Sequence, residues 1–258
     1  MESNNKPFEF DHSLERIDSF INQGNATYKE VNYIPDHDKL SYDNGFYVNC
    51  SAIFVDIRES SDLTNNHYRP TLAKLYRAFI SEVTGILNSN VNCKEINIIG
   101  DCVAGICETS GSSSANQLVD TTSKICSIVD ILNCKFKEAD INEIKVGIGI
   151  SYGRALMIQA GNKGSSLNEV VWMGDVVNEA SSLCNKANKD GFDETERVII
   201  SKNFYDRLGE GYQSSFSSDT VLIFETPSKY ESDLTDQEMQ EWYDENCTSN
   251  FIADLLNF

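Results

Sequence analysis

Two aspartates interrupt apolar runs. "AIFVDI" carries Asp56 among five uncharged residues, and "NIIGDCVAGI" carries Asp101 directly after Gly100. An acid at either place forgoes apolar burial, so its charge needs an occupation. Two carboxylates at converging loop ends, with few cations in their own segments, suit a hard divalent metal. Mg²⁺ or Mn²⁺ takes one or two protein carboxylates and completes its shell with substrate phosphates. Two such ions about 3.5–4 Å apart deprotonate an attacking hydroxyl and neutralise a leaving phosphate. Each acid alone has a plainer reading, Asp101 as a turn former and Asp56 as a strand-end cap.

The elements that must position these acids are legible. "FYVNCSAIFVDI" is rich in β-branched and aromatic residues and predicts a strand ending at Asp56. Leu72, Leu75, Tyr76, Phe79, Ile80, Val83 and Leu87 recur with a helical period behind Pro70. Residues 94–108 form two apolar runs around Gly100-Asp101, a type II′ hairpin with Asp101 at its tip. Then follow a helix through Leu118, Ile125, Val129 and Leu132, a strand "IKVGIGIS", a strand "NEVVWMG", a helix opening near Asp175, and the segments "RVIIS", "NFYDRL" and "TVLIFE". This order predicts an α+β sandwich of the split-βαβ type, with helices on one face of an antiparallel sheet. Ahead of it, Asp11 is read as the cap of a helix bearing Leu14, Ile17, Phe20 and Ile21 on one side, and residues 23–45 as loop. The chain divides into residues 1–45 (helix and loop), 46–228 (the main domain) and 229–258. In residues 230–258 all eight charged side chains are acidic, which predicts a solvated appendage whose Trp242, Tyr243, Phe251, Leu255 and Leu256 are free to dock.

Composition narrows the function. A net charge of -19 argues against gripping DNA or RNA through a broad basic face, while one nucleotide can still be held if cations offset the charge locally. There is no signal peptide at "MESNNKPFEF" and no run of 18 apolar residues, so no membrane partner and a cytoplasmic location are expected. The eight cysteines lack CxxC spacing and read as buried thiols rather than a zinc site.

"IFVDIRESSDLT", "EINIIGDCVAGI", "IKVGIGISYGRAL" and "GDVVNEASSL" together resemble, in order and spacing, the motifs of class III nucleotidyl cyclases. The resemblance implies the ferredoxin-like cyclase catalytic domain, with Asp56 and Asp101 as metal ligands and the backbone carbonyl of Ile57 as a further one. It also implies two Mn²⁺ or Mg²⁺ ions per site. Residues 58–61, with Arg58, Ser60 and Ser61, match the turn that holds the β and γ phosphates. The family reaction is attack of a nucleoside triphosphate's own 3′-hydroxyl on its α-phosphorus, giving a cyclic nucleotide and pyrophosphate. Asn178 matches the asparagine that orients the ribose from a second chain, so a homodimer is implied.

The chain departs from that pattern at several positions. One turn beyond Asn178 an expected arginine is Ser182, and the late phosphate-binding lysine is missing, with Lys229 out of register. Arg58, Lys163 and Lys186 are candidate substitutes. The base-reading positions are Asn97 and Val171, which match neither purine code. The run from Ala160 to Asn188, with the short standalone architecture, resembles the pyrimidine cyclases of bacterial Pycsar anti-phage systems, whose cyclic UMP or cyclic CMP activates a neighbouring effector. By that likeness UTP is favoured over CTP, and Tyr47 is the candidate aromatic that confines the smaller base. The competing readings are an enzyme using ATP, a catalytically silent cyclase-like dimer, and an inert scaffold for the acidic tail.

Overall fold

Strand β2, Gly45–Ile57, carries the architecture and delivers Asp56 at its end. The structure, a computed structural model, describes residues 5, 7–61, 63, 69–162, 168–189, 195–218 and 228–248. After helix α1 (Phe10–Ile21) come β1 (Tyr28–Val31), β2, α2 (Arg69–Ser89), the hairpin β3 (Cys93–Ile99) and β4 (Cys102–Cys107), and α3 (Ser112–Glu138). They are followed by β5 (Val146–Gly161), β6 (Asn168–Met173), α4 (Asp175–Lys186), β7 (Val198–Ser201), β8 (Ser217–Ser218), β9 (Lys229–Ser232) and α5 (Gln237–Tyr243). Among the described residues the strands form one sheet in the order β3-β4-β2-β5-β7-β9-β8, with β1 beside β2 and β6 beside β5.

The α+β class holds, and two details of the expected layout change. The sheet is mixed: β1 runs parallel to β2 and β5 parallel to β7, while the other pairs are antiparallel. Helices also cover both faces. Ile53 and Val55 belong to one apolar cluster with Leu75 and Phe79 of α2 and Leu118 and Ile125 of α3. The alternate residues Val48, Cys50 and Ala52 pack with Val176 and Ala180 of α4 on the opposite side. Side chains alternate along a strand, so a strand buried on both faces reads as a continuous apolar run, which is the reason for "CSAIFV".

Glycines let α4 lie directly on the sheet. A Cβ on Gly147 would stand 2.7 Å from the Cys184 carbonyl oxygen and 2.9 Å from that of Ala187.

The chain's ends differ more from expectation. Glu9, not Asp11, precedes the first helical residue, and α1 presents its apolar side outward, with Leu14 45% and Ile17 48% exposed. The expected loop contains β1. Beyond residue 228 the chain supplies β9 to the sheet, buries Leu234 and lays α5 near α3, with Lys135 over the Trp242 ring. Cys134 and Cys247 are joined in a disulfide across 113 residues, so two of the eight cysteines are not thiols. "TVLIFE", Phe251, Leu255 and Leu256 lie outside the described residues.

Candidate functional site

Asp56 and Asp101 meet where β2 ends and the β3–β4 hairpin turns. Val55 stands opposite Val103 in the antiparallel β2–β4 register, which sets Asp56 beside Cys102 and next to Asp101. The two-residue turn forms as expected: Ile99 pairs with Cys102, Gly100 takes φ 66°, and Asp101 is not among the residues with positive φ. The Asp101 charge acts on Asp56. Burial raises the pKa of Asp56 above the usual carboxylate range, Asp101 raises it further, and Arg58 pulls it back. The same pair of acids, after burial, helps lift the Cys102 thiol to about 12.

The turn after β2 brings the expected phosphate-binding residues beside the acids. Ser60 and Ser61 open a helical turn, and the Ser60 side chain is hydrogen-bonded to the Tyr76 hydroxyl of α2. Burial and the Asp101 charge push that phenol up, and Ser60 opposes them. Glu59 takes φ 52°, the left-handed region that strains a residue with a Cβ.

Arg58 behaves differently from its expected role. Its backbone N–H is already spent on the Lys145 carbonyl oxygen at 2.8 Å. Its guanidinium folds back, Nη2 donating to Asp56 Oδ2 at 2.9 Å, so the backbone N–H and Nη2 are both engaged within the chain.

Beside this turn opens a cleft of about 560 Å³ lined by Arg58, Glu59, Lys145, Asn185, Asn188 and Lys189. Tyr76, Lys145 and Lys189 are residues that the motifs did not single out for the site. The only signal for Lys145 was its place immediately before an apolar strand.

Other candidates lie apart from the acids within one chain. Tyr47 sits nine residues before Asp56 on the same strand, about 30 Å away along it. There its ring is covered by the Arg154 guanidinium at 4.0 Å, so it has no reach to a base held at Asp56 of its own chain. Asn178 is exposed in the first turn of α4 and Ser182 is exposed one turn on. Asn97 is on β3 and Val171 on β6, both partly exposed. Lys186 is exposed at the end of α4, Lys229 pairs with Ser201 in the sheet, and Lys163 lies outside the described residues.

The donor set fits a hard cation. Two carboxylates and the adjacent backbone carbonyl of Ile57 offer oxygen alone, and the neighbouring Asp101 makes ionisation of Asp56 more costly unless a cation offsets it. Among the described residues there is no cluster of three or more His, Cys, Asp and Glu side chains for a metal. A dication completed by nucleotide phosphates needs fewer protein ligands.

Comparison with known proteins agrees with this geometry. The model of the adenylate and guanylate cyclase catalytic domain matches residues 43–230. A uridylate cyclase of Gulbenkiania mobilis is 43% identical over 217 residues, 81% of this chain and 83% of the relative. A uridylate cyclase of Treponema porcinum is 32% identical over 246 residues, 94% of this chain and 83% of the relative. Among solved structures, the adenylyl cyclase CyaB of Pseudomonas aeruginosa superimposes with a TM-score of 0.59 at 17% identity, covering 73% of this chain and 95% of its own. A class III adenylyl cyclase-like ATP-binding protein of the same organism gives 0.66 at 17% identity over 90% of this chain and 48% of its own. With the acid pair, the hairpin turn and the order of elements described above, these matches place the chain in the adenylate and guanylate cyclase catalytic domain family, the class III nucleotidyl cyclases.

Proposed function

We propose that this chain converts UTP to 3′,5′-cyclic UMP and pyrophosphate as a metal-dependent pyrimidine cyclase. The observation that carries the chemistry is the β2–β4 register that brings Asp56 and Asp101 together at one end of the sheet, where the Asp101 charge acts on Asp56. The preference for uridine is supported by the 43% identity to a uridylate cyclase and by Asn97 and Val171, which lack the purine-reading groups.

Asp56, Asp101 and the Ile57 carbonyl would hold two Mn²⁺ or Mg²⁺ ions, which would supply Lewis acidity to the reaction. The chain's own part is placement. The turn with Ser60 and Ser61 receives the β and γ phosphates, and Lys145 and Lys189 gather beside it, in place of the missing arginine and late lysine. An amide at 97 offers uracil a donor and an acceptor, and an aliphatic side chain at 171 leaves a purine's ring groups without partners.

A homodimer completes the site. Asn178, exposed on α4, orients the ribose from the second chain, and Tyr47 reaches a base only in that way. Support for an interface comes from the apolar rim that one chain leaves open, with Ile98 54%, Ile99 63% and Met173 44% exposed. Among the described residues no helix is long and apolar enough to cross a membrane. We place the enzyme in the cytoplasm, where its product serves as an anti-phage second messenger for a separate effector.

Incubating purified protein with Mn²⁺ and each of the four ribonucleoside triphosphates, then separating the products, tests the reading. Cyclic UMP as main product supports it, cyclic CMP or cyclic AMP moves the substrate, and no product from any of the four favours the silent dimer that Ser182 suggests.

A further inference from the structure

Arg58 occupies a seat that does not satisfy it. Its side chain is 11% exposed and threads between β5 and the last turn of α4. The slot exists because residue 147 is glycine: a Cβ there would lie 2.9 Å from the Arg58 guanidinium carbon. Among the described residues the guanidinium's hydrogen bonds all come from one nitrogen, Nη2, which donates to Asp56 Oδ2 at 2.9 Å, to the Asp56 carbonyl oxygen at 3.4 Å and to Cys184 Sγ at 3.7 Å. Nε is buried with no hydrogen-bond partner among the described residues. A guanidinium built for a permanent carboxylate partner uses two nitrogens in parallel, and an orphaned buried donor is a standing cost. The other side of the same residue lines the cleft beside Lys145 and Lys189.

The geometry points to Arg58 as an exchangeable counter-ion: it neutralises Asp56 in the metal-free enzyme, competes with the divalent cation for that carboxylate, and swings off into the cleft when the cation binds. This rests on the reading of Asp56 and Asp101 as metal ligands. A guanidinium at 2.9 Å from Oδ2 and a dication on the same carboxylate repel each other, so the two occupancies exclude one another. The site then holds metal less tightly than its two acids alone would. The cation released is positive charge beside the polyphosphate, so metal and nucleotide loading are coupled through one side chain.

Mn²⁺ titration of nucleotide-free protein, with free Mn²⁺ read by electron paramagnetic resonance, tests this without turnover. R58Q is expected to bind Mn²⁺ about tenfold tighter than wild type, the scale of one adjacent unit charge. D56N is expected to lose the high-affinity site. An R58Q affinity equal to or weaker than wild type, with D56N binding lost, overturns the exchange and leaves the acid-pair reading standing. Full Mn²⁺ binding by D56N overturns both. Should R58Q fail to fold, wild-type crystals with and without Mn²⁺ decide. The exchange requires Nη2 to move beyond the about 4 Å of an ion pair when metal is bound, and retention of the contact overturns it.

Discussion

The thiol of Cys184 donates to the carbonyl oxygen of Gly147 at 3.1 Å, so a side chain of helix α4 is bonded to the backbone of strand β5. That contact fixes the distance between the acid-bearing end of the sheet and the helix carrying Asn178. It also makes Gly147 intolerant of any side chain. We expect Gly147→Ala, which must displace the Cys184 and Ala187 carbonyls and the Arg58 guanidinium, to cost about 3 kcal/mol or more, measured by urea unfolding.

Asp56 gives a pH signature in the metal-free protein. Its pKa is raised in the folded state, chiefly by burial and then by Asp101, so the native chain binds the proton more tightly than the unfolded one. Stability therefore falls as pH rises from the ordinary carboxylate value through the raised one. Asp56→Asn is expected to remove this fall and to raise the melting temperature at neutral pH while abolishing turnover. Calorimetry across pH 4–8 with product chromatography checks both, and a variant that retains activity refutes the metal assignment.

Glu59 adopts φ 52° in the turn after β2, and the residue is exposed. Glycine takes that conformation without penalty, so Glu59→Gly is expected to stabilise the protein by up to about 1 kcal/mol. Denaturant midpoints compared at equal slope measure the change.

The Cys134–Cys247 bridge ties the segment after α5 to α3 across 113 residues. Cys247→Ser is expected to cost about 2–4 kcal/mol and to open residues near 237–248 to proteolysis, with cyclase activity retained because the bridge touches no site residue. Reductant should reproduce the effect in the wild type and leave the variant unchanged.

Cys93 is partly exposed and its thiol is held below the ordinary range, first by its hydrogen bond with Cys107. Burial pushes Cys50, Cys102, Cys126 and Cys184 up to about 12. Thiolate is the reactive form, so Cys93 is expected to take iodoacetamide first in native protein. Peptide mapping at short times reads the order.

Much of this protein was settled by its sequence alone. Asp56 at a strand end, Asp101 in a two-residue turn after Gly100, the helix behind Pro70 and the helix starting near Asp175 all follow from short-range rules: side-chain period, turn chemistry and the backbone freedom of glycine. The tertiary structure decided what depends on residues far apart in the chain. The expected solvated tail contributes β9 and a disulfide because its partners, β7 and Cys134, lie dozens of residues away. Arg58 faces its neighbour's carboxylate instead of a phosphate because Gly147 and Cys184, brought in from β5 and α4, shape the slot that receives it. Sequence spacing names the charged groups, but only long-range packing sets which of them share a low-dielectric space, and that fixes which cation each acid meets.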